Sequence, residues 1–218
     1  ELDPGALIDN KYQVIRVLGE GGMGLVVSAR HLQLDRLVAI KSVHPDLASN
    51  TEAIQRLERE AKAAARLKSE HIVQVLDVGR LPSGLPYFVM EFVEGVDLDQ
   101  VLTSNGPLSV DVAVDYVLQA CEALAQAHVA GIVHRDLKPG NFLLTKCPDG
   151  SSIIKVFDFG IAWFNDPSQK DRRLTLASAT MGTPSYMAPE QMKAGQDIDQ
   201  RADIWALGMV LHELVTGS

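Results

Sequence analysis

The sequence predicts an α+β fold in two lobes, a small β-rich one holding a single helix and then a mainly helical one. Three observations carry the prediction. Residues 1–90 are dominated by short runs rich in Val, Ile, Leu and Tyr, separated by glycine or proline, the pattern of strands and tight connections. One segment among them repeats its apolar residues at helical spacing. Beyond Gly95 the helical period takes over.

The elements follow in chain order. Residues 12–18 and 25–30 flank a glycine cluster and read as a β-hairpin, and residues 37–43 supply a third strand. Ser49 and Glu52 have capping-box spacing ahead of Ile54, Leu57, Ala61, Ala64 and Leu67, the apolar stripe of one helix. Strands at 72–78 and 87–93 surround a Pro/Gly turn at 81–86. Ser109 is placed to cap a helix whose apolar face is Val110, Val114, Val117, Leu118, Cys121, Leu124 and Ala125, with Gly131 past its end. Residues 142–144 and 153–157 suit a hairpin. Residues 165–183 lack periodicity and read as a long surface loop, a kind that is usually functional or disordered. A last helix is expected over 202–215.

Composition narrows the function classes. The 218 residues are 46% hydrophobic and 22% charged, an ordinary globular mixture. Twenty basic against 28 acidic residues give a net charge of -8, which argues against nucleic-acid binding. Cys121 and Cys147 form no CxxC and have no histidine cluster beside them, so a zinc site or disulfide framework is disfavoured and a reducing cytoplasmic compartment fits. No leader is visible at Glu1, and no apolar run approaches the ~20 residues that span a bilayer.

Gly19, Gly21, Gly24 and Val26 fit G-x-G-x-x-G-x-V. Positions without side chains let backbone N–H groups approach phosphate oxygens. A dinucleotide-binding turn shares this pattern but leads into a helix, whereas a strand follows here, which favours a flap over phosphates. In Val38-Ala-Ile-Lys41 a lysine lies within an apolar strand, where it is costly unless paired or used. Glu60 falls on the apolar face of the first helix, between Leu57 and Ala61 and Ala64. An inward lysine and an inward glutamate explain each other as an ion pair. His134-Arg-Asp-Leu-Lys-Pro-Gly-Asn141 is the most specific run. Its Asp136 is suited to orient a hydroxyl and accept its proton, Lys138 to neutralise phosphoryl charge, and Asn141 to offer a metal-ligand oxygen. Asp158-Phe-Gly160 adds a carboxylate for Mg²⁺, a hard cation that prefers oxygen ligands.

Taken in order with Ala188-Pro-Glu190, these motifs resemble the eukaryotic-type protein Ser/Thr kinase catalytic domain. Glu-Gly-Gly-Met-Gly at 20–24, Arg59-Glu-Ala and Ile72-Val resemble its bacterial members. The resemblance runs from about Tyr12 to the end. It implies a bilobal kinase fold, with an N-lobe over 1–90, a hinge at 91–95 and a C-lobe over 96–218 that is incomplete at its end. The implied cofactors are ATP and Mg²⁺, with Mn²⁺ as a substitute, and the implied partners are proteins phosphorylated on Ser or Thr.

The resemblance also implies roles. Leu18, Gly19, Glu20, Gly21, Gly22, Met23 and Gly24 would cover the nucleotide. Val26 and Ala39 would roof the adenine and Leu143 would floor it. Glu91 and Val93 would bond it through the hinge backbone, behind Met90 as gatekeeper. Lys41 would hold the α- and β-phosphates and Glu60 would hold Lys41. Asp136 would be the catalytic base, Lys138 a γ-phosphate contact, and Asn141 and Asp158 the metal ligands. Thr183 would bond Asp136 and Lys138, as in Ser/Thr rather than tyrosine kinases. Thr175, with Ser178 and Thr180 as neighbours, would be the phosphorylated switch read by Arg135, installed by self-association and autophosphorylation in trans. Bacterial relatives often continue into a membrane helix and sensor, so this chain would be the cytoplasmic part of such a protein.

Two departures are expected to matter. Gly140, where larger residues are frequent, would loosen the catalytic loop. The chain stops at Ser218, before the helices that would cover the last one and pair Glu190. Two rivals fit less well. A phosphotransfer-free scaffold would lack one of Lys41, Asp136, Asn141 or Asp158, and all are present. A small-molecule phosphotransferase of the aminoglycoside type shares H-x-D-x-x-x-x-N but lacks the Gly-Thr-Pro…Ala-Pro-Glu segment that shapes a protein-substrate platform.

Overall fold

Period-two patterning builds the first part of the chain. In β2 (Tyr12–Gly21) Tyr12 and Val14 are buried while Gln13 and Ile15 face outward, the alternation of a strand with one covered face. The computed structural model describes residues 2–21, 24–43, 51–159, 183–192 and 198–218. It divides into two compact units, Glu1–Arg66 with Gln74–Phe92, and Leu67–Val73 with Val93–Ser218.

The first unit is an antiparallel sheet of β1 (Leu7–Ile8), β2, β3 (Gly24–His31), β4 (Arg36–Val43), β5 (Val75–Arg80) and β6 (Pro86–Glu91), in the order β1-β2-β3-β4-β6-β5. Asp9 and Asn10, in the turn between the paired Ile8 and Tyr12, both take left-handed φ, 49° and 52°, and the Lys11 N–H closes the turn on the Ile8 carbonyl at 2.9 Å. Side chains then tie that turn to the far strands. Tyr87 donates to Asp9, while Tyr12 Oη and Lys11 Nζ meet Asp77 Oδ2 at 2.9 and 2.6 Å. Helix α1 (Thr51–Ala64) packs on β5 and β6, with Ile54 and Ala61 buried, and its Glu58 pairs with Arg80 at 2.7 Å.

The second unit holds β7 (Val96–Asp97), α2 (Leu98–Asn105), α3 (Val110–Val129), β8 (Phe142–Lys146), β9 (Ser152–Val156) and α4 (Arg201–Thr216), with 3-10 turns at Pro139–Asn141 and Thr183–Tyr186. The strands form a sheet in the order β7-β8-β9. Asp97 caps α2 by accepting the Gln100 N–H at 2.8 Å. The core gathers Leu98, Leu124, Leu137, Phe142, Ile154, Val210 and Leu214, each at most 1% exposed.

The structure corrects several expected elements. The strand placed at 72–78 starts at Val75. Ile72 instead forms a parallel bridge to Val156, and Val73 N–H bonds the Val156 carbonyl at 2.9 Å. The strand placed at 87–93 ends at Glu91. Leu67 is buried beyond the end of α1, not within it, and Ser49 lies outside the described residues. Ser109 does precede α3, but without a side-chain capping bond. The apolar face assigned to α3 was mostly the wrong one. Its buried positions are Ala113, Ala120, Ala123, Leu124 and Ala127, of which only Leu124 belongs to the expected face, whereas Val110, Val114, Leu118 and Ala125 are exposed. Small side chains permit close approach of neighbouring backbones, a preference that apolar periodicity does not register.

Candidate active site

The second unit assembles the His134–Asn141 run around one buried carboxylate. Asp203, in the first turn of α4, is fully buried. Its Oδ2 accepts the His134 N–H at 2.9 Å and the His128 Nε2 at 2.7 Å, and its Oδ1 accepts the Arg135 N–H at 2.8 Å. An ionised carboxylate has lone pairs for these three donors and would be expensive at this depth without them.

From that anchor the loop runs outward with its side chains holding its own backbone. His134 Nδ1 accepts the Asp136 N–H at 3.3 Å, so the ring proton sits on Nε2 and is donated to the Phe157 carbonyl at 2.8 Å. Asn141 Nδ2 donates to the Asp136 carbonyl at 2.5 Å, and Asn141 N–H bonds the Lys138 carbonyl at 2.9 Å within the 3-10 turn. These bonds place Lys138 Nζ 3.2 Å from Asp136 Oδ2. Asp136 is 7% exposed and Asn141 5%, so both are held rather than waving in solvent. Gly140 has open space around an added Cβ and no left-handed φ. Nothing about the backbone there demands glycine, and the bonds of Asn141 pin the loop on either side of it.

Arg135 takes φ 69° and Asp158 φ 65°, a region non-glycine residues occupy at a cost. Arg135 Nε is buried and has no hydrogen-bond partner among the described residues. Phe159, 3% exposed, packs its ring 5.0 Å from that of His134. In the segment that follows, burial and the bond to Glu213 push the Tyr186 phenol above its ordinary pKa. Gln191 reaches back to the loop, donating to the Arg135 carbonyl at 2.8 Å while accepting the Ala188 N–H at 2.9 Å.

The first unit holds the other expected residues. Lys41 lies in β4 between Val26 and Phe88, and only 3% of it is exposed. Ala39 pairs with Met90 across the β4–β6 ladder, and Met90 is buried. Glu91 N–H bonds the Gln74 carbonyl at 2.9 Å and its carboxylate takes the Gln74 N–H at 3.0 Å. Leu18, Gly19 and Glu20 are exposed near the end of β2, and Gly21 pairs with Gly24. Gly24 has φ 131°, and a Cβ there would lie 1.9 Å from the Ser42 carbonyl oxygen. In the second unit Leu143 lies in β8 opposite Lys155, half-buried, and Val93 follows β6, also half-buried. Gly22, Met23, Thr175, Ser178 and Thr180 lie outside the described residues, as do the side chains of Glu60 and Thr183.

Sequence reasoning gave no role to Asp203, His128 or Gln191. Asp203 carried the signal used for Glu60, a carboxylate on a face with Ala202, Ala206, Leu207 and Val210. His128 and Gln191 carried none, because the bonds to Asp203 and to the Arg135 carbonyl join positions far apart in sequence.

A family profile described as "Protein kinase domain" matches residues 12–218. The chain is 42% identical over 213 residues to the serine/threonine-protein kinase pkn3 of Myxococcus xanthus, covering 98% of this chain and 39% of that protein. It is 40% identical to the serine/threonine-protein kinase PknB of Mycolicibacterium smegmatis, covering 96% and 33%. It therefore spans only a third to two fifths of these relatives. Among solved structures, the Mycobacterium tuberculosis PknI kinase domain superposes with a TM-score of 0.80 at 33% identity, over 100% of this chain and 79% of that one.

Proposed function

This chain belongs to the protein kinase domain family, and from that membership we propose that it transfers the γ-phosphate of ATP to Ser or Thr hydroxyls of proteins. The observation that carries the reading is the placement of Lys138 Nζ 3.2 Å from the carboxylate of a buried, backbone-anchored Asp136. A phosphoryl transfer needs little covalent chemistry from the protein; it needs positioning and charge stabilisation. Asp136 orients the substrate hydroxyl and takes its proton as the oxygen attacks. Lys138 offsets the negative charge on the transferring group. The Lys138 side chain also matches the Ser/Thr rather than the tyrosine pattern.

The residues present fit a divalent metal. Because the Asn141 amide nitrogen is committed to the Asp136 carbonyl, its carbonyl oxygen is the atom left to face a cation, and Asp158 adds carboxylate oxygens. An all-oxygen donor set suits Mg²⁺, with Mn²⁺ as a substitute. The bound ion would neutralise phosphate charge. Lys41, which Glu60 would hold, is the proposed phosphate anchor of the first unit, and the Leu18–Gly24 segment with Gly22 and Met23 would cover the nucleotide. Val26, Ala39, Met90 and Leu143 would enclose the adenine, and Val93 would bond it through its backbone. Glu91 would do so through its carbonyl, since its N–H is spent on Gln74.

Regulation belongs to the same proposal. Phosphate on Thr175, Ser178 or Thr180 would supply an anion for the Arg135 guanidinium, whose Nε is buried without a partner among the described residues. Autophosphorylation in trans would require self-association, and a cytoplasmic setting would supply ATP. No helix among the described residues is long and apolar enough to cross a membrane.

One experiment tests the reading. The protein, incubated with Mg·ATP, should place phosphate on a generic basic protein substrate and between Leu174 and Thr180 of itself. Asp136→Asn should lower transfer by orders of magnitude with nucleotide binding retained, as for a group that acts in the transition state. Unchanged turnover in that variant would overturn the assignment of Asp136, and absence of phosphate from 174–180 would remove the switch.

A further inference from the structure

Gln191 is a buried amide, 8% exposed, whose two ends contact two different parts of the site. Its Oε1 accepts the Ala188 N–H at 2.9 Å, and its Nε2 donates to the Arg135 carbonyl at 2.8 Å. Arg135 holds a left-handed backbone at φ 69°, which persists only where the surroundings over-determine it. Both sides of Arg135 are in fact clamped. Its N–H is bound by Asp203 Oδ1 at 2.8 Å and its carbonyl by Gln191.

That carbonyl shares one planar peptide unit with the Asp136 N–H, which in turn points at His134 Nδ1 at 3.3 Å. Fixing the plane fixes the position of the Asp136 Cα and the axis about which its φ turns, and so narrows the directions in which the Asp136 side chain leaves the loop. Among side chains of this length, only glutamine offers a donor and an acceptor at neutral pH. Glutamate lacks the donor when ionised, and leucine lacks both. We propose that Gln191 is a positioning residue that couples the Ala188–Gln191 segment to Asp136 by locking the Arg135–Asp136 peptide. Asp136 is then aimed for proton acceptance only while that segment is seated. The inference rests on the kinase reading of Asp136 and deepens it.

The test uses Gln191→Glu and Gln191→Leu in the otherwise unaltered protein, with kcat and KM measured for ATP and a Ser/Thr substrate. At pH 8 each variant should lose about tenfold in kcat, the worth of one good hydrogen bond, with both KM values within twofold of wild type. Protonated glutamate regains an O–H donor. The Gln191→Glu to wild-type ratio of kcat should therefore climb back as pH is lowered towards 6, while the Gln191→Leu ratio stays flat. A purely structural tie would give no such recovery, so a flat Gln191→Glu ratio overturns the coupling. So does a kcat within twofold of wild type at pH 8 in either folded variant. If Gln191→Glu does not fold, the kcat and KM values of Gln191→Leu decide. A wild-type protein with no transfer to Ser or Thr would sink the kinase reading itself, whereas an active wild type matched by its variants sinks only the coupling.

Discussion

Removing the Asp203 carboxylate should unseat the catalytic loop, and the size of the effect follows from what the carboxylate holds. Asp203→Ala leaves the backbone N–H groups of His134 and Arg135 and the ring N–H of His128 without their acceptor. Each buried donor left unsatisfied costs roughly 1–3 kcal/mol. His128 keeps 14% side-chain exposure and recovers part of its cost through water. The His134 N–H, on a residue with no exposure, has no such recourse. The expected loss is about 3–5 kcal/mol, the usual cost of breaking a buried charged network. That is a large share of the roughly 5–15 kcal/mol that holds a domain together. Asp203→Asn keeps the shape but presents an NH₂ group to one of three donors, so about 1–3 kcal/mol should go. Urea unfolding of wild type and both variants, with midpoint and slope fitted separately, measures this. Phosphotransfer should fall with the same ranking, because Arg135 loses half of the clamp on its strained φ. An Asp203→Ala protein within about 1 kcal/mol of wild type would refute the claim that this carboxylate organises the loop.

Two further perturbations probe the first unit. Gly24→Ala puts a methyl group 1.9 Å from the Ser42 carbonyl at a φ of 131°. It should lower stability by about 1–3 kcal/mol and weaken nucleotide binding; an unchanged melting temperature would show that the strand pair yields freely. Asp77→Asn tests the cluster with Lys11 and Tyr12. Burial raises the Asp77 pKa, but the bonds from Lys11, Tyr12 and the Val78 N–H outweigh it and hold the carboxyl below its ordinary 3.8. A depressed folded value means that the stabilisation is complete above 3.8 and is lost as pH falls through the folded pKa. The stability gap between wild type and Asp77→Asn should therefore be flat from pH 6 to 8 and narrow only below about 4. A gap that narrows near neutrality instead would mean that another group controls it.

Much of the fold was legible because period and punctuation are local. The glycine-flanked strands, the buried Ile54, Ala61 and Ala64 of α1 and the extent of α4 follow from neighbours in sequence. What escaped depends on distant partners or on very short pieces. Val96–Asp97 and Leu7–Ile8 are two-residue strands, below the length at which alternation is a signal. Residues 72–73 have a strand-like composition, yet they pair with Val156 rather than β6. Pattern states that a run is extended and leaves open which edge it joins. The face of α3 was misread because alanine and valine count alike as apolar, while close packing selects the alanines.

The candidate site divides along the same line, and the division explains why its motif has fixed spacing. Residue type and spacing single out Asp136, Lys138, Asn141 and Asp158 as candidates for chemistry. His134 and Asn141 prove to be framework as well, each turning a side chain onto backbone groups of the run that contains it or follows it. Asn141 reaches the Asp136 carbonyl only because the Pro139–Asn141 turn brings it back, with the Asn141 N–H on the Lys138 carbonyl. One residue more or fewer between Asp136 and Asn141 would break that closure and point Lys138 away from Asp136. The spacing of H-R-D-x-x-x-x-N is thus a geometric condition on a short loop that braces itself. The braces that cannot come from within the run, Asp203 at one side of Arg135 and Gln191 at the other, are supplied by α4 and by the segment after Ala188. Local sequence shows the first kind of brace. Only the folded chain shows the second.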